Sequence, residues 1–131
     1  MQLIELCYYS TPIKRFSEQE LRSMLRGARE RNLILGVSGL LLYSNDIFLQ
    51  ILEGSREAVN AIFQSISHDS RHNDIAISYV NEITFREFKS WQMAYISDLE
   101  LKGLMGVTDF KPCSMSAAAI RSLLGNIRTS L

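Results

Sequence analysis

Residues 36–43 read Gly-Val-Ser-Gly-Leu-Leu-Leu-Tyr and residues 47–52 read Ile-Phe-Leu-Gln-Ile-Leu, with Ser44-Asn45-Asp46 between them. Two short apolar runs joined by a polar break predict a β-hairpin. Both parities of these runs are apolar. Counted along the chain, Leu40, Leu42, Phe48 and Leu52 fall on one side, and Leu41, Leu49 and Ile51 on the other. A sheet wet on one face alternates polar and apolar residues. The hairpin therefore belongs to a sheet covered on both faces, which demands two apolar layers from elsewhere in the chain.

The flanking segments supply them. Residues 2–9 are rich in Ile, Leu and Tyr and predict a first strand, broken at Thr11-Pro12. Ser17-Glu18-Gln19-Glu20 is a capping-box pattern, and Leu21, Met24, Leu25 and Ala28 follow at helical spacing to about residue 31 or 32. Gly54 is expected to end the second hairpin strand. Ser55 then caps a helix whose stripe is Val59, Ile62, Phe63 and Ile66, ending near residue 68 or 69. Residues 75–80 and 91–96 predict a fourth and a fifth strand. The order is β-α-β-β-α-β-β, an α+β arrangement containing the ferredoxin-like β-α-β-β-α-β unit with both helices on one face. For the opposite face, Ile120, Leu123, Leu124, Ile127 and Leu131 recur at helical spacing from residue 116. This helix and a short one at 98–105 are expected to pack on the sheet's second face or on a partner. The chain divides into a core of 1–97 and a helical extension of 98–131.

Bulk properties exclude several classes. At 131 residues and 47% hydrophobic, the chain fits one domain with an ample core. Fourteen basic residues balance fourteen acidic ones, so no global field steers it to nucleic acid or to an acidic membrane, and any anion site must be local. The N-terminus does not read as a signal peptide, and no apolar run approaches membrane-helix length. Cys7 and Cys113 lie far apart without metal-ligand spacing and are expected to be free thiols in a cytoplasmic protein.

Periodicity places Ile4, Leu6 and Tyr8 on one side of the first strand, Phe48, Gln50 and Leu52 on one side of the third, and Trp91, Met93 and Tyr95 on one side of the fifth. Gln50 is the anomaly, because an amide within that run must find partners for two donors and an acceptor. Either a tyrosine and a backbone group satisfy it, or a ligand does. Tyr8, Trp91 and Met93 taken singly read as packing residues. Asn32 reads as a helix C-cap or as an amide for the edge of a polar ring. Asp69-Ser70-Arg71-His72 reads as a solvated helix end or as a local phosphate or ribose grip. His68 and His72 lack the companions of a metal site, and glycines 36 and 39 do not form a phosphate loop.

Taken together, Tyr8, Arg31-Asn32, the hairpin from Gly36 through Phe48-Leu49-Gln50-Ile51-Leu52-Glu53-Gly54, Asp69-Ser70-Arg71-His72 and Phe88-Lys89-Ser90-Trp91-Gln92-Met93 resemble the BLUF domains, blue-light sensors that use FAD. The resemblance covers residues 1 to about 97. It implies a blue-light photoreceptor rather than an enzyme, binding FAD with FMN or riboflavin as alternatives. In such a domain Tyr8 is the electron and proton donor, and Gln50 is the amide between its hydroxyl and the flavin N5/O4 edge. Asn32 would bond the ring's carbonyl edge and Ser38 would neighbour the pocket. Asp69, Arg71 and His72 would contact the ring's outer edge or the ribityl-phosphate part, and Trp91 and Met93 would be the pair that shifts in signalling. Output would pass through the fifth strand and C-terminal helices to another protein or a changed homo-oligomer, with neither nucleic acid nor membrane involved. Two other readings fit the topology less well. An acylphosphatase needs a phosphate-cradling loop after the first strand, where residues 10–15 contain no glycine, and an RNA-binding sheet needs a basic face.

Overall fold

The computed structural model describes the backbone of residues 2–44, 46–89, 91–93, 98–105 and 110–130, and their side chains except at 91–99, 104, 105 and 130. The strands and helices in chain order are β1 (Leu3–Pro12), α1 (Glu18–Ile34), β2 (Ser38–Ser44), β3 (Ile47–Ser55), α2 (Arg56–Ser67), β4 (His72–Ile83), β5 (Trp91–Met93), α3 (Asp98–Met105) and α4 (Ala117–Ser130). Four strands form an antiparallel sheet in the order β4-β1-β3-β2, as the ferredoxin-like pattern requires. Beyond β2, the three residues of β5 pair in parallel with Gly39–Leu41. The rest of the expected fifth strand, from residue 94, lies outside the described residues.

Local chemistry explains the helix ends. Ser17 Oγ accepts from the Glu20 amide at 3.1 Å and Glu20 Oε1 accepts from the Ser17 amide at 3.0 Å, which completes the capping box. At the other end of α1, Gly36 adopts φ 69°, a left-handed conformation that costs glycine little, and its amide bonds Leu33 O at 3.2 Å. Ser55 is both the last residue of β3 and the cap of α2, its Oγ accepting from the Ala58 amide at 3.2 Å. Gly54 therefore does not end the strand as expected. A side chain there would meet Val37 Cγ2 at 3.1 Å and Gly36 O at 3.3 Å, so the glycine answers a close approach of backbone.

The sheet is covered on both faces, but the hairpin residues divide differently from their parity along the chain. Ser44 pairs with Ile47 across a two-residue turn, so facing positions always combine an even with an odd number: Leu42 faces Leu49, Leu40 faces Ile51 and Tyr43 faces Phe48. Leu40, Leu42, Leu49 and Ile51 consequently share one cluster with Cys7, Phe88, Leu101, Phe110 and the α4 residues Ile120, Leu123, Leu124 and Ile127. The other face carries two separate clusters. One joins α2 (Val59, Ile62, Ile66) to Ile4, Leu6, Tyr8 and Leu52; the other joins Leu21 of α1 to Phe16, Leu41, Tyr43 and Phe48. Burial pushes the Cys7 thiol up to about 12, which leaves it a protonated core group, while Cys113 is exposed and free.

β4 runs twelve residues, well beyond the expected 75–80, because its polar ends keep their side chains in solvent while the backbone continues the ladder with β1. Two register shifts in that ladder flank the Tyr8–Tyr9 step. Among the described residues, no helix is long and apolar enough to cross a membrane.

The packing of α4 yields a direct test. Ile127 is fully buried whereas Ile34 is 84% exposed. Ile127→Ala should cost about 2–5 kcal/mol of unfolding free energy in urea titration, and Ile34→Ala no more than about 0.5 kcal/mol. Equal losses would contradict the placement of α4.

Candidate functional site

The two clusters on the first face leave a cleft between α1 and α2. Its floor is Tyr8 of β1, Leu41 of β2 and Phe48 and Gln50 of β3; Met24, Ala28 and Arg31 of α1 form one wall, and Ile66, Asp69, Arg71 and His72 the other. Met24, Ala28 and Arg31 recur at helical spacing, and the small Ala28 leaves room beside the floor. Sequence reasoning placed Met24, Ala28, Leu41, Phe48 and Ile66 in the core; a stripe that covers a cleft and one that packs a core look alike in sequence.

Tyr8 and Gln50 face each other on one rung of the β1–β3 ladder, each 3% exposed. The Tyr8 hydroxyl donates to Gln50 Oε1. That bond occupies the amide's acceptor and leaves its two N–H donors for other partners. Burial raises the Tyr8 phenol far above its ordinary value, against the lowering influence of the Arg31 charge, so Tyr8 is a neutral donor at all physiological pH. Phe63 and His72 stand edge-on to its ring, at centroid distances of 5.6 and 6.4 Å.

Asn32 is not the C-cap expected of it, because α1 runs past residues 31 and 32 to Ile34 and Leu35 takes the cap position. It is fully buried, its Oδ1 accepts from Arg31 Nε at 3.4 Å, and among the described residues its Nδ2 has no hydrogen-bond partner. A buried donor without an acceptor costs about 1–3 kcal/mol, so this amide calls for a further acceptor, although Asn32 is not itself among the residues that line the cleft. Arg31 also reaches Ser65 Oγ of α2 at 3.5 Å, spanning the cleft from one helix to the other.

On the far wall, Asp69 and Arg71 form an ion pair, with Arg71 Nε at 2.9 and 3.1 Å from the two carboxylate oxygens. The Arg71 side chain holds the Asp69 carboxyl down at about 2 and Asp69 in turn raises Arg71. His72 spends both ring nitrogens within the protein. Its Nε2 lies 2.7 Å from Ile66 O, which only accepts, so Nε2 carries a proton; Nδ1 shares a hydrogen bond with Ser10 Oγ at 2.6 Å. His72 thus fastens β1 to the end of α2 and lines the cleft with its ring.

Ser38 sits elsewhere. It shares the parity of Leu40 and Leu42, on the α4 face, and its Oγ accepts from Arg86 at 2.7 Å, so it does not line the cleft. Its place near the pocket was implied by the family resemblance and not by strand alternation. Trp91 and Met93 belong to β5 at the sheet edge beside β2, and their side chains lie outside the described residues. Two buried acids went unnoticed in the sequence: Glu5 and Glu53, 2% and 0% exposed, face each other on the α4 side of the β1–β3 ladder.

Comparisons with known proteins agree with this geometry. Residues 3–94 match the family described as BLUF, sensors of blue-light using FAD. The beta subunit of photoactivated adenylate cyclase from Euglena gracilis is 37% identical over 84 residues, 64% of this chain and 10% of that protein. The chain spans about a tenth of the length of the curated relatives it matches. Among solved structures, the dark state of BlrB, a BLUF protein, superposes with a TM-score of 0.85 at 34% identity, covering 99% of this chain and 98% of that one. The photo-activated state of BlsA superposes with a TM-score of 0.85 at 29% identity, covering 96% and 94%.

The Asp69–Arg71 pair makes stability depend on pH. Because the folded Asp69 carboxyl lies at about 2 against an ordinary 3.8, the native state binds fewer protons than the unfolded chain between these values. The pair's contribution is complete above that window and is lost as pH falls through it. The pair is partly exposed, so the amount is at most about 1 kcal/mol. Urea titrations from pH 6 to 2 should show a shallower acid loss for Asp69→Asn than for the unmodified protein; parallel profiles would contradict the pairing.

Proposed function

We infer that this protein senses blue light with a bound flavin, from the premise that the chain belongs to the BLUF family, sensors of blue-light using FAD. The observation that carries the reading is the buried hydrogen bond from Tyr8 to Gln50 on the floor of the cleft. The residues present fit a flavin: the orphaned Nδ2 of Asn32 suits a ring carbonyl, and the Met24, Ala28 and Ile66 surfaces suit an apolar ring plane. Arg31 and Arg71 line the cleft and would offer cations to the phosphate-bearing part of FAD or FMN. FAD is the expected cofactor, with FMN and riboflavin sharing its ring.

When bound, the flavin supplies light absorption and a strong photo-oxidant. The chain supplies position and hydrogen bonds. Tyr8 holds its proton in the dark and directs it at Gln50 Oε1. Gln50 accepts from Tyr8 at Oε1 and keeps its NH2 for the cleft, and a turn of the amide, or its conversion to the imidic tautomer, changes how strongly it donates to a ring atom. Light-driven loss of an electron and proton from Tyr8 through Gln50, followed by their return, leaves the amide in its alternative arrangement with no net reaction. Stronger donation to a ring carbonyl shifts absorption to the red. The changed arrangement biases β5, with Trp91 and Met93, and the C-terminal helices, and reaches another protein or a second copy of this chain by contact. The cyclase activity named for the Euglena relatives belongs to those longer proteins. The function argued for this chain is sensing in the cytoplasm, without catalysis, nucleic acid or membrane.

Tyr8→Phe and Gln50→Leu should each retain flavin but lose the light-minus-dark absorption shift; a shift retained in either would contradict the relay. Asn32→Ala should weaken flavin binding about three- to tenfold in a fluorescence titration, the worth of one neutral hydrogen bond. Unchanged affinity would remove Asn32 from the site.

A further inference from the structure

The β1–β3 ladder carries a second polar pair. Glu5 faces Glu53 three residues from the rung of Tyr8 and Gln50, or about 10 Å along the strands, on the opposite face of the sheet. Two adjacent buried acids are costly unless their oxygens are engaged, and here each carboxylate grips a different element. Glu5 Oε1 accepts from Asn81 of β4 at 3.1 Å and lies 3.0 Å from Arg121 Nη2 of α4. Glu53 Oε1 accepts from the Phe88 amide at 2.8 Å and its Oε2 from the Glu87 amide at 3.3 Å. Arg86 closes the same corner, donating to Glu53 O at 2.9 Å and Gly36 O at 2.7 Å. Phe88 is 2% exposed and shares its cluster with Ile120, Leu123, Leu124 and Ile127 of α4.

Both arms therefore end on α4. One runs from the strand of Tyr8 through Glu5 to Arg121, and the other from the strand of Gln50 through Glu53 to the segment 86–88, which leads to β5. A cavity of about 230 Å³, lined by Glu5, Glu87, Phe88 and Arg121 among others, lies beneath α4 at this point and gives the contacts room to rearrange.

We propose that Glu5 and Glu53 are positioning residues that carry a change at the Tyr8–Gln50 pair through the sheet to α4, by way of Arg121 and the segment 86–88. This rests on the light-sensing reading above. A small displacement of β1 against β3 alters both carboxylates' bonds at once, and buried ionic bonds answer such a displacement more steeply than apolar contacts do. Glu53→Gln keeps the side chain's shape but leaves one oxygen to accept from two amides. Arg121→Met cuts the other arm from a half-exposed position.

Hydrogen exchange of the segment 117–130, read by mass spectrometry on the full FAD-loaded chain in darkness and under blue light, tests the proposal. In the unmodified protein light should change that exchange. In Glu53→Gln the red shift should persist while the light-induced change in 117–130 falls by about threefold or more, the scale of coupling changes produced by single substitutions. Arg121→Met should do the same, and decides the matter if Glu53→Gln does not fold. A purely structural role would speed exchange equally in light and darkness and leave their difference intact, which would overturn the proposal. So would a red shift in the unmodified chain with no response in 117–130. Loss of the red shift in the unmodified chain would instead overturn the sensing reading, and this proposal with it.

Discussion

A phenol and a primary amide face each other across one rung of a β ladder that water does not reach, and most of the architecture can be understood from what that pair requires. Each group alone would carry an unmet hydrogen bond into the core; together, Tyr8 and Gln50 meet most of the need and leave the amide's NH2 as the group to be completed. Isolation from solvent demands a sheet packed on both faces. The lower layer of α4, Phe88 and Phe110 seals one face, and α1 and α2 cover the other while remaining apart over the pair itself. The cleft exists because those two helices build separate clusters rather than one.

The ordering of the elements was readable from the chain because it rests on local chemistry. The Ser17–Glu20 capping box, the Ser55 cap and the apolar stripe of residues 120–127 all act over a turn or two of backbone and appear where their residues are. The pairing of Tyr8 with Gln50 was readable in part, since alternation places both on one-sided stripes, although the residues alone favoured a structural bond over a ligand contact. What depends on register was not readable. The two-residue turn sets Leu42 against Leu49, so parity along the chain assigns half the hairpin to the wrong face.

Other features escaped for a different reason. Nothing local marks Glu5 and Glu53 as buried, because the groups that satisfy them, Arg121, Asn81 and the amides of residues 87 and 88, come from more than thirty residues away. Asn32 shows the converse: a position in the last turn of α1 conceals a buried donor that no described residue satisfies. The sheet thus has a hydrogen-bonded phenol and amide on one face and two buried acids on the other, along the same two strands.

The central claim is that the Tyr8–Gln50 bond sits against a bound flavin and is rearranged by light. The measurement that bears on it most directly is the absorption spectrum of the purified protein supplied with FAD, recorded in darkness, under blue light, and again during dark recovery. A retained yellow chromophore whose band moves slightly to the red on illumination and returns in darkness is the predicted result. A protein that does not retain flavin, or one whose spectrum does not change reversibly with light, would contradict the account.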